Sequence, residues 1–195
     1  STKDFGLVPV NVDFEGSVIQ TLLKNDEFSI VATPMKHGIP AVAYSLIEKD
    51  KKNIDKKKAK ALGLPEKGPV FKEIKEKDKI EFKGKIIKLD DIAKLVPGKK
   101  IVYSGDTVFN KNIVKLSKNA DALIHDCTFF EDVEDMTGYK HTRIDDVINI
   151  SKEAKVKKII LTHISRRYQN LDELKKIAEK YNATLATDFM KILIK

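Results

Sequence analysis

The sequence predicts a layered α/β fold, on three observations. Four apolar runs, residues 99–103, 122–124, 156–161 and 184–190, read as short buried strands. Two segments with helical periodicity, around 110–117 and 142–154, separate the first three of them. Polar residues appear where those strands run out: Asp106 after the first, His125 and Asp126 after the second, His163 after the third. In layered α/β folds the carboxyl ends of the strands open into the ligand cleft. Acids and imidazoles gathered there point to a metal or catalytic centre, with Ser104-Gly105-Asp106-Thr107 as its pivot.

Taken in order, residues 1–47 read as extended segments at 7–13, 28–35 and 41–47, punctuated by Gly16, Asn25-Asp26 and Gly38-Ile39-Pro40. Residues 48–100 change character. A short helix at 55–62 is stopped by Gly63 and Pro65, and Gly68-Pro69 follows. Runs at 79–82 and 85–89 flank Lys83-Gly84 as a hairpin. Few large apolar residues back these elements, so the segment is expected to protrude from the body without a second core. Pro97-Gly98 returns the chain to residues 101–195, the compact α/β part. There Thr142 with Asp145 reads as a capping box, with Ile144, Val147, Ile148 and Ala154 on one helical face. Asn170 with Glu173 repeats the pattern before Leu171, Leu174, Ile177, Ala178 and Tyr181.

At 195 residues, with 42% hydrophobic and 34% charged side chains, the chain has the makings of a globular domain plus an appendage. No apolar run reaches the roughly 20 residues that span a bilayer, and no charged-then-apolar leader is present, so the expected location is cytoplasmic, with no membrane partner. The single cysteine, Cys127, excludes an internal disulfide and reads as a small buried residue. The formal charge of +8 is concentrated: residues 48–100 carry 18 lysines and no arginine against ten acidic residues. A solvated Lys/Glu surface is the plain explanation of a charge-rich segment. A localised excess beside a candidate metal centre favours a polyanionic partner.

Only four histidines are present, His37, His125, His141 and His163. His37 and His163 directly follow β-like runs, as Asp106 does. Two imidazoles and a carboxylate suit a borderline-soft ion such as zinc, and a carboxylate can bridge two ions, which makes Asp106 the natural bridge. Three ligands are too few for a two-metal centre.

From about Phe28 onward the chain resembles the ribonuclease Z family of tRNA 3′-processing endoribonucleases, in the metallo-β-lactamase superfamily. The resemblance rests on Pro34-Met35-Lys36-His37-Gly38-Ile39-Pro40, Gly63-Leu64-Pro65 with Gly68-Pro69, and Ser104-Gly105-Asp106-Thr107. It continues through Ile124-His125-Asp126-Cys127-Thr128-Phe129, His141-Thr142 and the stretch Leu161-Thr162-His163-Ile164-Ser165-Arg166-Arg167-Tyr168. The resemblance implies the C-terminal part of a metallo-β-lactamase αββα sandwich. Residues 1–47 and 101–195 would belong to its core, and residues 48–100 would form a flexible basic arm that grips tRNA. It implies two Zn2+ per complete active site, with His37 on one ion, Asp106 bridging and His163 on the other. His141 would be no ligand but the acid that protonates the leaving 3′ oxygen. Asp126, where the family usually has glutamate, would orient it. Arg167 would face substrate phosphate, and Gly68 and Pro69 would contact substrate. Arg143 is given no catalytic duty, and His125 is expected to make a structural hydrogen bond. The implied partners are precursor tRNA and a second copy of the chain as a homodimer, with no DNA.

One departure is large. The family's His-x-His-x-Asp-His motif, which supplies most of the metal ligands, is nowhere in this sequence, and the chain begins at Ser1 without methionine. The expectation is therefore a fragment of a longer enzyme that by itself neither binds two zincs tightly nor cleaves RNA. The rival readings are another phosphodiesterase of the same superfamily and a catalytically silent RNA-binding or dimerisation module.

Overall fold

The computed structural model describes residues 10–130 and 141–194. They divide into two compact units, one made of residues up to 48 and from 99 onward, the other of residues 49–98. Among the described residues no helix is long and apolar enough to cross a membrane.

The first unit is built on one seven-stranded sheet. Its strands are β1 (Gln20–Lys24), β2 (Phe28–Met35), β3 (Ala41–Glu48), β8 (Lys100–Tyr103), β9 (Ala122–Asp126), β10 (Ile159–Thr162) and β11 (Ala183–Leu185), side by side in that order. β1, β2, β3 and β8 pair antiparallel, whereas β8, β9, β10 and β11 pair parallel. A parallel neighbour needs a crossover, and three helices supply one each: α4 (Lys111–Ser117), α5 (Ile144–Ala154) and α6 (Leu171–Lys180). Asn110 caps α4 by accepting from the Asn112 and Ile113 N–H groups, and Asn170 caps α6 by accepting from Glu173 N–H at 3.2 Å.

Helices cover one face of the sheet. Ile113 and Leu116 of α4 and Ile150 of α5 pack with Ala43, Val102 and Leu123. Val147 and Ile148 of α5 and Leu174 and Ala178 of α6 pack with Ile159, Leu161 and Leu185. On β3 the side chains alternate, so Ala43 and Ser45 are buried while Tyr44 and Leu46 are exposed on the other face, beside Tyr103 of β8.

Because β2 and β8 both lie antiparallel to β3, they run in the same direction. The carboxyl ends of β2, β8, β9 and β10 therefore lie at the same end of the sheet, and His37, Asp106, Asp126 and His163 lie at or just beyond those ends.

Several expectations need correction. Of the extended segment at 7–13, residues 7–9 lie outside the described residues, and 10–13 form no strand. The edge strand is Gln20–Lys24 instead. The last run ends at Leu185 rather than 190, and Phe189 is fully exposed. Thr142 does not cap α5. Arg143 holds that position without a side-chain bond, and the Thr142 hydroxyl donates to the Thr107 carbonyl.

The second unit has a core of its own, contrary to expectation. It contains β4 (Lys51–Ile54), α1 (Lys56–Ala61), α2 (Val70–Lys77), β5 (Lys79–Phe82), β6 (Lys85–Lys88), α3 (Leu89–Ile92) and β7 (Ala93–Val96). β4 pairs with β7 and β5 with β6. Ala59, Leu64, Ile74, Ile80, Ile87, Leu89 and Ile92 bury together. These residues come from short elements separated by lysines, so no long apolar run announces a core. The β5–β6 turn places Lys83 at φ 49° and Gly84 at φ 74°, the geometry that suits the twist of a two-residue hairpin.

Candidate metal centre

The turn after β8 carries Asp106. Its Gly105 adopts φ 61°, and a Cβ there would sit 3.1 Å from the Val42 carbonyl oxygen of β3, so both backbone conformation and space call for glycine. Thr107 joins this turn to its neighbours. The carbonyl of Lys36, just past β2, accepts from the Val108 N–H at 3.0 Å and lies 3.2 Å from the Thr107 hydroxyl. These contacts fix the segment that bears His37. The Thr107 carbonyl takes the Thr142 hydroxyl, which fixes the segment that bears His141. His163 follows β10 with φ 58°, a left-handed conformation that a residue with a Cβ adopts at a cost of about 1–3 kcal/mol.

These turns bring the rings together. His141 stacks on His163 with centroids 4.7 Å apart, and His37 meets His141 edge-on at 5.0 Å. His163 Nε2 lies 3.5 Å from Asp106 Oδ2. One ligating atom from each of Asp106, His141 and His163 falls within 4.8 Å of the others. Two imidazole nitrogens and a carboxylate are a donor set that fits a zinc-type ion. His141 was expected to stand outside the ligand set, and its position within reach of the other two is a finding of the geometry. Asp106, His141 and His163 are therefore neighbours, and His37, just past β2, meets them through its ring contact with His141 and not as a member of that ligating group.

Beneath them Asp126 is buried, with no exposed side-chain surface. Its Oδ2 accepts from Thr107 N–H at 3.2 Å and from His141 Nδ1 at 2.9 Å, and its Oδ1 lies 2.7 Å from the Thr128 hydroxyl. Its own N–H donates to Ser104 Oγ at 3.0 Å. The shorter carboxylate thus reaches His141 directly.

His125 is fully buried and donates from Nδ1 to the Asp126 carbonyl at 2.7 Å. Burial holds its pKa below the ordinary imidazole value, so the ring is neutral. Cys127 is likewise buried, which pushes its thiol up and keeps it protonated and inert. The Arg167 guanidinium lies over the Phe129 ring, 4.9 Å from its centroid, and the neighbouring Tyr168 hydroxyl accepts from Phe130 N–H. Gly68 and Pro69 sit in the second unit, where the Pro69 carbonyl starts α2 by accepting from Lys72 and Glu73. What sequence reasoning missed is the role of the threonines: Thr107, Thr128 and Thr142 lock the turns, and their only signal was a place within two residues of an acid or a histidine.

Comparison with known proteins follows the same lines. A Beta-lactamase superfamily domain matches residues 92–164. Ribonuclease Z of Archaeoglobus fulgidus is 37% identical over 179 residues, covering 87% of this chain and 58% of that protein. Ribonuclease Z of Macrococcus caseolyticus is 38% identical over 157 residues, covering 79% of this chain and 51% of that protein. Among solved structures, the short form of human tRNase Z superposes with a TM-score of 0.55 at 24% identity, covering 91% of this chain and 47% of that one. The chain spans about half the length of the curated relatives it matches. With its sheet and helices arranged as in the metallo-β-lactamase fold, the chain is a metallo-β-lactamase-fold protein that over most of its length is similar to ribonuclease Z.

Proposed function

We propose that these residues form part of a zinc-dependent endoribonuclease that removes the 3′ trailer of precursor tRNA, leaving a 3′-hydroxyl on the tRNA. The observation that carries this reading is the convergence of Asp106, His141 and His163 above a buried carboxylate. His37, Asp106 and His163 would hold up to two ions in the complete site, with Asp106 as the bridge. A zinc ion held there would supply an activated water and charge stabilisation at the phosphorus.

The chain's own residues do the rest. Asp126 accepts a hydrogen bond from the Nδ1–H of His141 and so leaves Nε2 for the chemistry. A proton held at that Nε2 passes to the departing 3′ oxygen. An imidazole nitrogen cannot bind a metal ion and deliver a proton at once, so this reading assigns His141 to the proton and the other three to metal. Arg167 offers its guanidinium to a phosphate. Residues 49–98, with 16 lysines against nine acidic side chains, and with Gly68 and Pro69 at the start of α2, would hold the body of the tRNA by phosphate contacts that weaken with salt. The proposed setting is a cytoplasmic homodimer.

The test compares cleavage of precursor tRNA and of a small chromogenic phosphodiester by the natural gene product containing these residues, as wild type and as His141→Ala. Cleavage at the 3′ end of the tRNA, lost in His141→Ala with zinc content unchanged, is the expected result. Zinc lost along with activity reassigns His141 as a ligand. Hydrolysis of the chromogenic ester alone means a different phosphodiesterase, and no cleavage of either means a silent module.

A further inference from the structure

We infer that Thr128 is a positioning residue whose hydroxyl fixes His163 with its ring proton on Nδ1, presenting the Nε2 lone pair to Asp106. Three contacts define the arrangement. Thr128 Oγ1 lies 2.7 Å from Asp126 Oδ1, 2.9 Å from His163 Nδ1 and 3.1 Å from the His163 carbonyl oxygen. A hydroxyl has one proton and can donate to only one of them.

Magnitudes decide which. Asp126 is buried and ionic, and apart from the hydroxyl the contact found for Oδ1 is His163 Nδ1, at 3.8 Å. Leaving a buried acceptor unsatisfied costs about 1–3 kcal/mol, more for a charged group. The competing arrangement would have Thr128 donate to Nδ1 and leave the ring proton on Nε2, facing Asp106 Oδ2. That pair is 3.5 Å apart with both side chains more than 40% exposed, where an ionic contact contributes about 0–1 kcal/mol. The hydroxyl proton therefore goes to Asp126, the hydroxyl oxygen becomes the acceptor, and His163 must donate from Nδ1.

One buried carboxylate thus sets both rings: His141 directly through Oδ2, and His163 through the Thr128 hydroxyl on Oδ1. The two imidazoles stack at 4.7 Å, and His163 turns its Nε2 toward Asp106 Oδ2. The hydrogen bond at one ring nitrogen determines which nitrogen remains to ligate.

The test is a long-range 1H–15N correlation spectrum of the full chain with labelled histidine, metal-free at mildly alkaline pH. Its four histidines are assigned by single His→Gln variants. The expected spectrum shows His163 protonated on Nδ1 in wild type and in Thr128→Ser. In Thr128→Val the His163 proton moves to Nε2, while His125 and His141 keep their signals. A wild-type His163 protonated on Nε2 overturns the inference before any variant is needed, and so does an Nδ1 proton that persists in Thr128→Val. In the second readout, zinc affinity falls about 10–100-fold in Thr128→Val and returns in Thr128→Ser. Wild-type affinity in Thr128→Val would remove the positioning role. Only this second readout, made on the natural gene product containing these residues, rests on the proposed function: a gene product that binds no zinc while His163 keeps its Nδ1 proton sinks that function and leaves the Thr128 assignment standing.

Discussion

Replacing Asp126 by asparagine tests the buried anchor of the centre, because the amide is nearly isosteric and differs chiefly in charge. In the variant the amide oxygen must turn toward Thr107 N–H and His141 Nδ1–H, since both groups donate. Its NH2 is then left facing Thr128 Oγ1, which becomes an acceptor there and passes its own proton toward His163. Three hydrogen bonds to a charged acceptor become bonds between neutral groups, a loss of about 1 kcal/mol each, offset by about 1 kcal/mol because an amide is cheaper to bury. The net destabilisation is about 2 kcal/mol, or roughly a 30-fold rise in the opening equilibrium. Cys127 reports that opening directly, since it is the one cysteine, is fully buried and belongs to the first unit. Its alkylation under native conditions, with reclosing fast relative to labelling, tracks the open population. The expected result is alkylation about 30-fold faster in Asp126→Asn, with the His163 proton shifted to Nε2. Acceleration of less than about threefold would refute the idea that the charge of Asp126 holds these turns.

Two further predictions concern residues away from the centre. Asp121, nearly buried, is pushed up by desolvation, but Lys157 at 2.8 Å, the Lys100 N–H at 2.8 Å and Lys99 together bring its pKa below the usual carboxylate value. A lowered folded pKa means stabilisation that is present above the unfolded value of about 3.9 and lost as pH falls through the folded one. Lys157 is well exposed and screened, so the advantage of wild type over Asp121→Asn should be about 1 kcal/mol by urea titration from pH 8 to 5, and should shrink below pH 4; an advantage that grows in acid would contradict the assignment. In the second unit, Ile74→Ala should remove about 2–5 kcal/mol from a core in which Ile74 is fully buried. Amide exchange should rise across residues 49–98 while Cys127 alkylation stays unchanged, and a parallel rise at Cys127 would mean that the two units open together.

Much of this protein was legible as pattern. Residues 28–35 and 41–47 read as strands because they are apolar and bounded by turn residues, and Asn170 with Glu173 read as a helix start because capping is local chemistry. The same local logic failed at Thr142, whose hydroxyl is drawn to the Thr107 carbonyl 35 positions away in place of the adjacent helix. In residues 49–98 it found the hairpin but missed the core, because its seven apolar side chains come from separate short elements and meet only after two strand pairs and three helices have formed.

The sequence by itself determined which residue types stand at the ends of strands, and so the choice of Asp106, His37 and His163 as candidates together with the charge excess of residues 48–100. Only the tertiary structure decided their further partners: that Thr128 lies between Asp126 and His163, and that His141 falls within reach of the ligand set. The reason is physical. Strand ends and helix caps follow from interactions a few residues apart, which the order of the chain encodes directly. Hydrogen bonds between separate turns depend on how far neighbouring strands run and how the loops beyond them fold back, and these are fixed only when the sheet is assembled.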